Sequence, residues 1–253
     1  MLKKEVGHNF LAKLGKKRLR PGGVAATNWL IRHAKLNKDS RVLEVACNMC
    51  TTSIQLAREY KCQITGIDMD PRALAKAEQN IRGAKLEEYI NVRQANAMKL
   101  PFEDNSFDVV INEAMLTMLN QAAKQKAVAE YFRVLKPGGV LLTHDITFAK
   151  ENMAEELAEL RKTIHVNVEP LPVADWEGLF NKTGFKRVEH ATGTMSLMSI
   201  KGMIRDEGVA GTLRIFKNAL KKENRAQFKK MYTFFNTTGK DLNYIAVCSS
   251  KND

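Results

Sequence analysis

The stretch Glu44-Val-Ala-Cys-Asn-Met-Cys-Thr51 sets two thiols three residues apart beside a carboxylate, and Ile67-Asp68 brings a second carboxylate 24 residues after the first. Further on, Asn112-Glu113 and His144-Asp145 put an amide, two acids and an imidazole at the ends of apolar runs. Cys47-Asn-Met-Cys50 has the spacing of a thioredoxin-type pair or of half a zinc site. Zinc needs two further ligands, and neither Cys62 and Cys248 nor any nearby His cluster supplies them, so no metal is expected. A carboxylate at a strand end, as at Asp68, can accept both hydroxyls of a ribose. Glu113 and His144 are the candidate catalytic groups, needed as a general base only where an acceptor must lose a proton. His144 and Asp145 point to opposite faces of a strand, which argues against a direct dyad. The plainer readings are a His144 satisfied in packing and a Glu113 that caps the next helix.

Residues so far apart in sequence meet only if the strands that carry them end side by side. From residue 41 strand-like and helix-like stretches alternate: strands over 41–46, 63–68, 90–94, 107–112 and 140–144, with helices over 51–60, 70–83 and 121–135. Asp70 and Pro71 are an N-cap and a first helical residue, and Lys136-Pro-Gly-Gly139 is expected to stop the third helix. Later, helices are expected over 151–163 and 173–183, a strand over 184–190, a mainly helical basic stretch, and a last strand over 242–248. The expected fold class is α/β: a doubly wound Rossmann-like, mostly parallel seven-stranded sheet, with a helical cap inserted between the last two strands. Residues 1–40 would be a basic helical arm or lid, 41–145 a cofactor-binding core, and 146–253 a C-terminal part completing the sheet, its cap at about 195–240. Met and Phe residues of that cap suit either helix core or an apolar pocket wall.

The 253 residues are 44% hydrophobic and 27% charged, enough to bury a core. Four cysteines are too few for a disulfide scaffold, and no apolar run reaches the length of a membrane span. The N-terminus lacks the apolar core of a signal peptide, so a cytoplasmic protein is expected. The net charge of +12 is uneven: residues 1–40 carry ten Lys/Arg against Glu5 and Asp39, and residues 201–240 carry ten against Asp206, Glu207 and Glu223. Such segments suit an anionic partner, whether a small acid, a nucleic acid or a membrane face, or simply keep the chain soluble. No RNA-reading motif accompanies them.

In a nucleotide-binding α/β fold the turn after the first strand lets backbone approach the ligand, usually through glycine. Here Ala46, Asn48 and Cys50 stand in the glycine-like positions. Taken together, VLEVACNMCT, ITGIDMDPRAL, VRQANAMKLPFEDNSFDVV and VLKPGGVLL resemble, in order and spacing, the class I S-adenosylmethionine-dependent methyltransferases. The resemblance is strongest to the small-molecule branch that includes the ubiquinone/menaquinone-biosynthesis C-methyltransferases, and it covers residues 22–145.

The resemblance implies S-adenosyl-L-methionine as cofactor and a small-molecule methyl acceptor, anionic or amphipathic, reached by in-line displacement under a helical lid. By the same resemblance Glu44 and the loop residues Ala46, Cys47, Asn48 and Cys50 would hold the methionine moiety. Asp68 would bind the ribose, Met69 would pack on the adenine and Asn96-Ala97 would contact its amino group. Asn112 would lie beside the transferring methyl, and Arg20-Pro-Gly-Gly23 would belong to a segment that closes over the site. The Cys50 side chain is expected to intrude on the path of the methionine tail. Two other readings stand beside this one: an RNA or protein methyltransferase using the basic arms, and a cofactor-binding pseudoenzyme.

Overall fold

The computed structural model describes residues 5–252; residues 1–4 of the arm and residue 253 lie outside the described residues. The chain begins with α1 (Gly7–Leu14) and α2 (Gly23–His33), then alternates β1 (Arg41–Val45), α3 (Thr51–Tyr60), β2 (Gln63–Asp68), α4 (Pro71–Ala84) and β3 (Ile90–Gln94). There follow β4 (Phe107–Glu113), a short turn of 3-10 helix (Leu116–Met118), α5 (Gln121–Val134), β5 (Leu135–Phe148), α6 (Ala154–Ile164) and α7 (Val173–Thr183). The chain ends with β6 (Arg187–Thr194), α8 (Ile200–Ala219), α9 (Lys222–Asn236) and β7 (Leu242–Ser250). The seven strands lie in the order β3-β2-β1-β4-β5-β7-β6. The first five run parallel, and β7 is antiparallel to both β5 and β6. The order reverses beside β1, so the C-terminal ends of β1, β2 and β4 open on one crevice.

Three bounds of β5 and β6 differ from the sequence expectation in ways that matter here. Lys136-Pro-Gly-Gly139 does not separate helix from strand: β5 begins at Leu135 and takes the proline and glycines into a register shift against β4 between Phe107 and Val109. The same strand runs beyond His144 to Phe148, because β7 continues to pair with it as far as Leu242. β6 starts at Arg187, since Gly184 (φ 116°) is spent closing α7.

One face of the sheet is covered by α2, α3 and α4 through residues such as Leu30, Leu56 and Ile81; the other packs on α5 and α7 through Val128, Tyr131 and Trp176. A separate apolar core joins α1 to the insert, with Phe10, Leu11 and Leu14 buried against Met198, Met203, Ile215 and Met231. The insert's methionines and phenylalanines are thus largely helix core, and they tie the arm to the cap. Among the described residues no helix is long and apolar enough to cross a membrane.

Candidate active site

The turn leaving β1 has the backbone of a glycine loop without the glycines. Ala46, Asn48 and Cys50 all lie in the left-handed region, at φ 55°, 46° and 56°, which costs non-glycine residues roughly 1–2 kcal/mol each. Three contacts hold it there: the Cys47 N–H donates to the Ile67 carbonyl at 2.9 Å, the Asn48 N–H to Asp68 Oδ2 at 2.9 Å, and Asn80 Nδ2 to the Met49 carbonyl at 3.0 Å. Cys50 is a correction: its side chain is fully buried in the apolar layer beneath the turn and forms no part of the cavity wall. Cys47 lies over Gly66, where an added Cβ would come within 3.0 Å of its Sγ. A hydrogen bond with Cys50, then burial, push the Cys47 thiol far above the ordinary range, which keeps it from the thiolate that redox or metal chemistry requires.

Asp68 joins two turns, accepting from Asn48 through one oxygen and from the Asp70 N–H through the other at 2.9 Å. Each oxygen keeps a lone pair for a further donor. Glu44 is buried in β1 and accepts from the N–H (3.0 Å) and the hydroxyl of Ser53. Burial, opposed by the Ser53 hydrogen bond and reinforced by the charge of Glu113, lifts its carboxyl to about 7.

Four other expected residues lie off the cavity wall. Met69 is 61% exposed. Asn96 spends its side-chain oxygen on the Met98 N–H at 2.9 Å in a turn of its own, and Ala97 lies beside it in that turn. Asn112 is fully buried and donates to Thr143 Oγ1 at 3.0 Å. Alternation along β4 turns Glu113, not Asn112, to the cavity.

Glu113 gathers four donors: Arg20 Nη1, Thr52 Oγ1 (2.7 Å), Thr27 Oγ1 (2.6 Å) and His144 Nδ1 (3.0 Å). Burial would raise its carboxyl, but the Arg20 charge and the hydrogen bonds from His144 and Thr27 prevail and hold it well below the usual carboxylate range. His144 is fully buried, and its Nε2 accepts from the Gly22 N–H at 2.9 Å. The structure therefore brings Glu113 and His144 together, though with their acceptor sites occupied by the protein's own donors. Thr27, Thr52, Ser53 and Asn80 were not singled out from the sequence. Thr52 and Ser53 had a signal in their place at a helix start, whereas Thr27 had none.

A cavity of about 1130 Å³ opens between the strand ends and the arm. Its walls include Glu44, Ala46, Asn48, Asp68 and Glu113 from the core, and His8, Asn9, Leu19 and Arg20 from the arm. No residue of 195–240 lines it. On the side facing the strand ends the wall is the N-terminal segment, and the helical insert packs against that segment.

Residues 42–139 match the family described as "Methyltransferase domain". A protein of Haemophilus influenzae, described as uncharacterized, is 57% identical over 251 residues, 99% of this chain and 100% of its own. Demethylmenaquinone methyltransferase of Desulfitobacterium hafniense is 36% identical over 107 residues, and the match spans 42% of each chain, under half of that relative's length. Among solved structures, phosphoethanolamine N-methyltransferase 2 of Haemonchus contortus, in complex with S-adenosyl-L-methionine, superposes with a TM-score of 0.78 at 18% identity, over 98% of this chain and 57% of that one.

Proposed function

The chain belongs to the class I S-adenosylmethionine-dependent methyltransferases, and we propose that it transfers a methyl group to a small-molecule acceptor inside the cavity covered by its N-terminal arm. The observation that carries this reading is the pairing of a left-handed turn, without glycine yet with exposed backbone, with an aspartate whose two oxygens stand at the mouth of the same cavity. The residues present fit the cofactor, because Cys50, the one bulky departure, is turned into the core. Glu44 and the turn from Ala46 to Asn48 would face its methionine part, and Asp68 its ribose. When bound, S-adenosylmethionine supplies a methyl group on a positively charged sulfur.

The protein's own share of such a displacement is alignment and exclusion of water; well-oriented reactants gain on the order of 7–11 kcal/mol. Arg20 and Leu19 close the cavity from the arm side, and Glu113 fixes Arg20 there. With Glu113 and His144 engaged, the chain offers no free base at the end of β4, which suits an acceptor that attacks without first giving up a proton to the protein. The likeness to a demethylmenaquinone methyltransferase supports a small-molecule acceptor. An RNA or protein acceptor is the weaker reading, because the arm turns much of its charge inward: Lys16 and Arg18 to α8, and Arg20 to Glu113.

Calorimetry with S-adenosylhomocysteine tests this reading. Saturable binding, with a loss of about thirtyfold or more for Asp68→Ala from two missing hydrogen bonds, is expected. No binding by the wild-type protein at millimolar ligand overturns the proposal, and undiminished affinity of Asp68→Ala removes the ribose from Asp68.

A further inference from the structure

We infer that the outer face of α8 is a docking surface for an anionic lipid bilayer. Val209, Leu213 and Leu220 are 63%, 65% and 71% exposed, in a protein whose other large apolar side chains are mostly buried. Their spacing of four and seven residues sets them on one face of the helix limb that follows the break at Gly208 (φ 72°, ψ 172°). Lys217 lies beside the same face and Lys221 follows directly on Leu220 in the link to α9, and neither meets a carboxylate among the described residues.

The two acids of α8 face the other way. Asp206 accepts from the Val24 N–H at 3.0 Å, and Glu207 accepts from the Lys17 and Arg18 N–H groups, each at 2.9 Å. Buried Lys16 lies 4.0 Å from the first and 3.7 Å from the second. With its anions consumed inside, the most exposed side chains of α8 over residues 209–220 are apolar or basic, a composition that suits a helix docked at a membrane interface. Of the occupants this face suits, a bilayer matches both components: apolar side chains pass below the headgroups while lysines meet lipid phosphates. A nucleic acid would leave Val209, Leu213 and Leu220 in water. A second copy would bring two segments, each with ten Lys/Arg against three acids, into opposition. Because Asp206 and Glu207 also grip residues 17–24, the docked helix and the cover of the cavity form one body.

The test is flotation of the full chain with vesicles of phosphatidylcholine alone and with added phosphatidylglycerol, at low and high salt. Expected are salt-sensitive binding to the anionic vesicles, a loss of about tenfold or more for V209E/L213E, and roughly fivefold per lysine for K217E/K221E at low salt. V209S/L213S serves where the glutamates impair folding, with thermal melting as the check. Absence of wild-type binding to anionic vesicles overturns the proposal, as does equal binding by V209S/L213S. A lipid-free dimer in sedimentation velocity that V209S/L213S dissociates assigns the face to a second copy. Tight binding of an RNA oligonucleotide unaffected by V209S/L213S assigns its lysines to nucleic acid. S-adenosylhomocysteine binding, measured separately, stays unchanged in these variants, so the outcome is independent of the methyl-transfer reading.

Discussion

The backbone N–H of Gly22 donates to Nε2 of His144 at 2.9 Å, and this bond ties the arm to β5. An Nε2 that accepts leaves the ring proton on Nδ1, where it donates to Glu113 Oε1 at 3.0 Å. One imidazole thereby joins the arm to a carboxylate on β4. Gly22 has no room for a side chain, since a Cβ there would lie 2.6 Å from Tyr244 Cγ. His144→Ala leaves a buried N–H and a carboxylate oxygen each short of a partner. The expected cost is about 2–3 kcal/mol in urea unfolding, with faster amide exchange at Gly22 read by NMR.

Arg20 and Glu113 compensate each other at low exposure. Arg20→Met strands the carboxylate and should destabilise the fold by about 3–5 kcal/mol. Glu113→Gln in that background should restore part of the loss, so the double-mutant cycle shows a coupling well above 1 kcal/mol. Additive effects would mean that the pair does not hold the arm. Arg20→Met should also weaken S-adenosylhomocysteine binding, measured by calorimetry, because the cavity loses its cover.

Glu44 predicts a pH dependence. Its folded-state carboxyl, raised by burial to about 7, binds a proton more tightly than in the unfolded chain. Its contribution is therefore full below the ordinary carboxylate range and is lost as pH rises through about 7. The amplitude is on the order of 3 kcal/mol at most. Denaturation midpoints between pH 5 and 8 should fall less steeply in Glu44→Gln than in the wild type. Equal slopes would show that Glu44 is ionised throughout.

Ala46 pays a conformational cost that glycine would not. Ala46→Gly should stabilise the protein by up to about 1 kcal/mol in thermal or chemical unfolding, partly offset by the greater freedom of glycine in the unfolded chain. Any substitution by a β-branched residue at Ala46 should destabilise it, since φ 55° is least tolerated there.

The strand–helix alternation was legible because periodicity and caps are local: Asp70 caps α4 by accepting from the Arg72 N–H, as its place before Pro71 predicts. Asp68 was legible for the same reason, standing at a strand end at a telling distance from Glu44. The partners of Glu113 were not. Arg20, Thr27, Thr52 and His144 come from four different elements, and no spacing in the chain announces that they meet. Nor does spacing reveal that Cys50 turns inward, because the direction of a Cβ follows from φ and ψ, and these are set by Asn80 and Asp68 gripping the turn from outside it.

By itself, then, the amino-acid order determined the parallel sheet, the position of its crevice and the acid at the mouth, since each rests on hydrophobic pattern and turn chemistry within a few residues. The resemblance pointed both to the segment at Arg20-Pro-Gly-Gly23 and to the helical insert as covers; which of them lines that crevice was decided by tertiary structure. Burial settled it: Lys16 and Arg20 found carboxylates inside the fold and Arg18 the backbone carbonyl of Asp206, fixing the N-terminal arm beside the cavity, while α8, its acids spent on that arm, was left with an apolar and cationic face toward the surroundings.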